Sequence, residues 1–266
     1  MTDGLEIFGK TIWDTVYMDY RIIAVVAIIS IILFLVGMYI QLSKWGRGIP
    51  EGATKPIGAS GALKMIISKT FENGIGPALE ILILDVLFQR RIFRRRKLEW
   101  FMHICIFWGW IGLLILTIVA AASEFYGPFV LGVGPEFFIG MSKFLELPND
   151  IFGYMLVLGI VIAIARRLFS TGKDVKARNA DVDWILIIGL VIVVATGFYA
   201  QYLRTEVYDV VSRGLISDYP AGFFNNSIVM FHEVFTMLFC IAYLPFSKYF
   251  HMIAAPLTIL VNKGGE

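Results

Sequence analysis

From Ile22 to Gln41 the chain runs for twenty residues without a charged side chain. Backbone in hydrocarbon must satisfy its own N–H and C=O groups, and about 20 apolar residues at ~1.5 Å rise are needed to cross a ~30 Å core. Such a run is expected to fold as a spanning helix. Four further stretches share its character: Leu98 to Ala122, Asp150 to Phe169, Trp184 to Tyr202, and about Asn226 to Phe250. Arg166 and Arg167 close the third, on stems long enough to carry their charges to the headgroups. The expectation is an all-α integral membrane protein, a five-helix transmembrane bundle forming a single membrane domain over residues 1–266. Composition agrees: 58% hydrophobic residues, 17% charged and a mean hydropathy of +0.75 describe a multi-pass protein of the cell membrane. The opening "MTDGLEIFGK" has no basic region ahead of an apolar run and does not read as a cleaved signal peptide.

The basic residues set an orientation. Eleven Lys and Arg lie between Lys44 and Lys97, five between Arg166 and Arg178, and two from Lys248 onward, against five on the other side of the expected spans. Eighteen against five predicts an outer N-terminus, a cytoplasmic C-terminus, and both long basic loops in the cytoplasm. Within the first loop, "GPALEILILDVLFQRR" is apolar from Pro77 to Phe88 except for Glu80 and Asp85. It is too short to span and is expected to lie on the cytoplasmic face or pack under the bundle. The adjoining block "RRIFRRRK" is a topology signal and a candidate contact for anionic lipid or a cytoplasmic partner. On the outer side, "GPEFFIGMSKFLELP" reads as a cap between the second and third spans, with Lys143 within it. A net charge of +2 supports no nucleic-acid partner, and two cysteines, Cys105 and Cys240, cannot ligate an iron-sulfur cluster.

The three histidines carry the chemical signal. His103 lies in "LEWFMHICIFWGW" near the inner end of the second span, His232 near the outer end of the fifth, and His251 beyond Lys248 at its inner end. An ionisable side chain in or beside a bilayer is costly and is usually paired or functional. Haem ligation fits best, since neutral imidazole is a good axial ligand and a flat macrocycle slots between helices. Zinc would need a compact cluster, and a proton relay would need a ladder of acids where Glu233 alone lies clearly within a span. Simple hydrogen bonding to neighbouring helices is the plain alternative. Nineteen residues of straight helix separate two side chains by about 28 Å. His232 and His251 would therefore face different ways unless Pro245 bends or unwinds the helix; they can serve two haems at opposite faces and cannot both bind one.

The five-span layout, "KLEWFMHICIFWGW" and above all "PFSKYFHMIAAP" resemble the cytochrome b subunits related to the nitrate reductase gamma subunit. They are closer to the membrane subunits of heterodisulfide reductase and of the sulfite-reduction-associated electron transfer complex. That resemblance implies an oxidoreductase subunit carrying haem b, two per chain. It would exchange electrons between a lipid-soluble carrier, menaquinone or methanophenazine, and a cytoplasmic iron-sulfur subunit like the heterodisulfide reductase catalytic subunit. Further membrane and extracytoplasmic subunits are compatible with it. Carried over residue by residue, His103 and His251 match the inner haem pair and His232 the outer haem's ligand on the fifth span. The fourth histidine of the nitrate reductase branch is replaced by Leu113, ten residues after His103, so the outer haem is five-coordinate on His232, ligated by a further residue, or absent; the first is favoured because His232 is otherwise unexplained.

Around these ligands, Glu233 and Glu124 are candidate proton acceptors and Lys248 a candidate haem-propionate contact, three residues before His251. Gly109 and Gly112, beside Trp108 and Trp110, leave room for either a haem or a helix. A haem-free anchor that binds only the carrier is the competing function. A transporter is disfavoured, because inverted repeats and a line of intramembrane charges are missing from the sequence.

Overall fold

The computed structural model describes residues 6–7, 10–11, 17–49, 54–122, 135–169, 180–212 and 227–262. Apart from a two-residue antiparallel ladder, β1 (Glu6–Ile7) with β2 (Lys10–Thr11), the described elements are helical. In chain order they are α1 (Tyr17–Trp45), α2 (Gly58–Thr70), α3 (Ile75–Ile81) with a π-helical continuation Leu82–Leu87, α4 (Arg90–Arg95), α5 (Lys97–Ala121), α6 (Pro135–Phe169) and α7 (Ala180–Ser212). Then come α8 (Ser227–Thr236), a π-helical stretch Met237–Ala242, 3₁₀ turns at Leu244–Phe246 and Lys248–Phe250, and α9 (His251–Val261). Four segments are long and apolar enough to cross a membrane: Ile22–Trp45, Lys97–Ala121, Phe144–Phe169 and Trp184–Tyr202. Their outward faces are aliphatic, as on α1, where Ile28, Ile32 and Leu35 are more than half exposed. The chain is a multi-pass membrane protein.

Two expectations are corrected. The outer block expected as a separate cap is the first part of α6, which runs through Pro148 without ending. Pro148 gives up one ladder hydrogen bond, but the two polar residues after it are fastened to α7. Asn149 Nδ2 donates to Gln201 Oε1 at 2.8 Å, and Gln201 Nε2 donates to Asp150 Oδ1 at 2.7 Å. The segment 226–250 is not one continuous helix either. Apolar helix persists over Ile228–Ala242 and then breaks, with Tyr243 N–H bonding back five residues to Leu238 O at 2.9 Å. Pro245 has no N–H for a ladder, and Ser247 turns extended (φ −118°, ψ 177°). The Ser247 hydroxyl accepts from Tyr249 N at 3.1 Å, capping the second 3₁₀ turn.

The chain gathers into two compact units, one of Met1–Val26 and Phe101–Thr236, the other of Ala27–Trp100 and Met237–Glu266. In the first, α5 and α6 meet along glycines. A Cβ on Gly109 would stand 2.7 Å from Leu156 N, one on Gly159 would stand 2.6 Å from Ile106 Cγ1, and Gly112 lies against the Phe152 ring. Leu156 is fully buried there. Gly109 and Gly112 therefore seat a helix rather than a flat cofactor. Without a hydrophobic driving force between helices in lipid, such close backbone approach is a principal source of association.

In the second unit, α1 holds the broken segment. Gly37 admits Pro245, whose Cβ would lie 2.6 Å from a Cβ placed there, and Gln41 Nε2 donates to Pro245 O at 2.7 Å. Trp45 packs on Phe250 at a ring separation of 5.7 Å. The stretch expected on the cytoplasmic face or under the bundle is helical to Leu87, and it packs against α9 within this unit. Its acid, Asp85, is buried and receives Arg90 Nε at 2.9 Å and Arg91 Nε at 3.3 Å. The left-handed residue Gln89 (φ 50°) turns the chain so that both arginines reach back. Burial alone would push the Asp85 carboxyl up, but hydrogen bonds and charge from Arg90, then Arg91, hold it below the ordinary carboxylate value.

These contacts make two expectations for stability. Gly109→Leu, overpacking the α5–α6 seam, should cost about 1–3 kcal/mol and lower the Tm of the detergent-solubilised protein, and an unchanged Tm would mean the seam is not tightly packed. Asp85→Asn should cost about 1–3 kcal/mol at neutral pH, toward the lower end because both arginines keep contact with water. A depressed carboxyl contributes stability above its unfolded pKa of ~3.9 and loses it as pH falls through the folded value. The Tm gap between Asp85→Asn and the unsubstituted chain should therefore close below about pH 4, and a gap independent of pH would rule out the ion pair as its source.

Candidate functional site

His232 sits on α8 with its imidazole against α7. Its Nδ1 lies 2.9 Å from Thr196 Oγ1, and its Cε1 lies 3.0 Å from where a Cβ on Gly197 would stand. The helix positions explain the arrangement: Gly197 supplies the space and Thr196, its neighbour, supplies the oxygen. The direction of the hydrogen bond can be derived. Thr196 Oγ1 lies 2.7 Å from Ile192 O, a carbonyl that can only accept, so the hydroxyl proton goes there. Thr196 Oγ1 must then accept from His232, which fixes the Nδ1–H tautomer and leaves the ring's lone pair on Nε2.

His251, the first residue of α9, reaches the same state by a different route. Its Nδ1 is hydrogen-bonded to the backbone carbonyl of Lys248, again an acceptor alone, so Nδ1 carries the proton and Nε2 the lone pair. Lys248 and His251 are both exposed. Lys248 thus meets His251 through its main-chain carbonyl, three residues back across the 3₁₀ turn. The helix is interrupted at Pro245 between the two histidines.

His103 lies half-buried on α5, in the first unit with His232, whereas His251 belongs to the second. Glu233, next to His232, is half-buried on α8, and Leu113 half-buried on α5. Glu124 lies outside the described residues, as does the side chain of Lys143. Cys105 and Cys240 are buried free thiols. Among the described residues, no group of three or more His, Cys, Asp or Glu side chains is arranged to hold a metal ion.

A haem-ligating imidazole needs the lone pair on one ring nitrogen and a hydrogen-bonded proton on the other, which fixes ring orientation and raises ligand basicity. His232 and His251 both meet that requirement, so these two imidazoles fit the group. Sequence reasoning found the histidines but missed Thr196 and Gly197. The signal was present in "VVATGFYAQ", where a glycine beside a threonine in an apolar span marks a close approach with a hydrogen bond at its edge. It missed Gln41 and Gly37 for want of any local signal that Pro245 would be their partner.

Comparison with known proteins places these features. The family model for HdrE, the E subunit of dihydromethanophenazine:CoB--CoM heterodisulfide reductase, matches residues 79–259. The protein of that name from Methanosarcina acetivorans is 39% identical over 262 residues, covering 95% of this chain and 96% of the relative. Its counterpart from Methanosarcina mazei is 38% identical over 265 residues, covering 95% and 97%. A more distant likeness, 24% identical over 192 residues, covers 64% of this chain and 26% of an EtfAB:quinone oxidoreductase from Syntrophomonas wolfei. No solved structure matches. Of the branches in the sequence resemblance, heterodisulfide reductase is the one these matches carry: the chain belongs to the HdrE family, the membrane subunits of heterodisulfide reductase.

Proposed function

We propose that this chain is the membrane-anchoring diheme cytochrome b subunit of an oxidoreductase complex, linking a lipid-soluble carrier to a cytoplasmic iron-sulfur subunit. The observation that carries the reading is the shared state of His232 and His251, each held as the Nδ1–H tautomer by an oxygen acceptor with its lone pair on Nε2. The names of its relatives support dihydromethanophenazine as the carrier, with a quinol as the other chemistry represented. In the bilayer, the whole chain acts as one membrane domain of five spans, the fifth running from about Asn226 to Phe250 through the break after Ala242, with the N-terminus outside and the C-terminus in the cytoplasm. The eighteen-to-five division of basic residues supports that orientation.

Haem b, when bound, supplies one-electron transfer, the chemistry needed between a two-electron lipid carrier and an iron-sulfur chain. His103 and His251 would ligate the inner haem and His232 the outer one, five-coordinate because Leu113 replaces the fourth histidine. Thr196 holds the His232 proton on Nδ1 and so aims Nε2. Gln41 holds the break at Pro245 from which α9 and His251 begin. Glu233, adjacent to His232, and Glu124 would accept the protons that the carrier releases, and Lys248, exposed at its turn, would meet a propionate.

A reduced-minus-oxidised visible spectrum, with haem content from the pyridine complex, tests this directly. Two haems per chain are expected, one low-spin and one with high-spin features. One low-spin haem would remove the outer site, and none would leave a haem-free carrier-binding anchor. Thr196→Val should weaken outer-haem retention about 10–100-fold and raise that haem's midpoint potential, because His232 loses the acceptor that makes it basic. The low-spin spectrum should not change. A redox titration in which both signals stay at their original potentials would contradict the assigned role of Thr196.

A further inference from the structure

The segment from α3 to α4 carries a surface that electron transfer does not use. Ala78, Asp85 and Val86 are buried in the second unit, while Ile75, Leu79, Ile83 and Phe88 stand outward at 66%, 49%, 43% and 55% exposure. Ile75, Leu79 and Ile83 recur every four residues, so they form one aliphatic stripe along α3 and its π-helical continuation. That helix is about 20 Å long, too short to cross a ~30 Å core. Basic charge lies beside the stripe. Asp85 takes Arg90 and Arg91, and Glu99 takes Arg96 at 2.7 Å. Arg94 and Arg95 are exposed and have no ion-pair partner among the described residues.

We propose that this face docks on an anionic bilayer surface, with the stripe at the boundary of headgroups and acyl chains and Arg94 and Arg95 on lipid phosphates. Charge complementarity calls for an anionic occupant, and the side chains choose lipid over an acidic protein. Protein interface cores are enriched in aromatic residues and Met. The stripe is instead branched aliphatic, like the outward faces of α1. A short apolar helix ending in arginines is the pattern of an element lying in the interface plane. The buried ion pair at Asp85 gives the geometry its stiffness, because it turns α4 back at Gln89 and fixes where the two unpaired arginines emerge.

The test uses the full chain, extracted with any subunits that accompany it. Leu79→Cys labelled with bimane and reconstituted into vesicles of phosphatidylcholine and phosphatidylglycerol should be quenched by brominated lipid and protected from iodide. Cys105 and Cys240 are buried and leave the label specific. By native mass spectrometry, the unsubstituted protein should retain phosphatidylglycerol over phosphatidylcholine. Arg94→Gln with Arg95→Gln should weaken that preference about fivefold for each arginine removed, and the paired lysine substitutions should keep most of it. Quenching by iodide rather than lipid would overturn the proposal, as would a label shielded from both, which would mean a protein covers the face. A lipid preference unchanged by the paired glutamine substitutions would overturn it equally.

Discussion

A carbonyl released where a helix breaks inside an apolar protein must find a donor, because lipid offers none. At the end of the π-helical stretch Met237–Ala242 that carbonyl belongs to Pro245, and its donor is Gln41 Nε2 at 2.7 Å. Much else in the second unit depends on this bond. Gly37 allows Pro245 close enough to be reached, the 3₁₀ turns spend the chain's remaining polar groups on one another, and Ser247 caps the restart. The new helix then begins at His251, with Nδ1 on the carbonyl of Lys248. The break that disqualifies 226–250 as a single span is thus what gives His251 a carbonyl to donate to.

The same economy governs the first unit. Several polar side chains there find partners across helices or on the backbone: Thr196 with the Ile192 carbonyl and His232, Gln201 with Asn149 and Asp150. Glycine then decides which helix may approach, with Gly109 and Gly112 for α6 and Gly197 for the imidazole. In water these small residues would weaken a helix; in lipid they set its neighbours. The two polar devices nevertheless differ in consequence. The Gln201 amide links helices whichever way its carboxylate partner is charged, whereas the Thr196 hydroxyl, with its single proton committed to Ile192, determines the protonation of a ring that can ligate metal.

Legibility from the sequence divided along physical lines. The spans at Ile22, Leu98 and Trp184 were readable to within a few residues because twenty apolar residues have one solution in hydrocarbon. The histidines stood out as candidates because a titratable group in a bilayer is costly. The continuation of α6 through Pro148 was not readable, since Pro and the following Asn and Asp all read locally as a terminus. Their partner Gln201 lies about fifty residues away. The break after Ala242 was half legible: Pro245 announced a disturbance, but its extent depends on Gln41, 204 positions earlier. Local signals singled out the histidines as candidates; the partner of His232 lies on another helix, whereas that of His251 is three residues back.

This division bears on what the soluble and membrane sides of such a subunit can each tolerate. Asp85 keeps its charge in a buried position because two guanidinium groups reach it across a turn, from five and six residues away, a local solution that any helix end with nearby arginines could adopt. His232 has no such local rescue. It is oriented from a different helix, whereas His251 is held by a carbonyl three residues back, in the turn that follows the Gln41–Pro245 hydrogen bond. Substitutions that leave every apolar run intact can therefore still misalign a ring nitrogen. Gln41 and Thr196 are where span composition and side-chain placement part company, since replacing either with an aliphatic residue would make its span more lipid-like while removing a hydrogen bond, to Pro245 O in one case and to the His232 ring in the other.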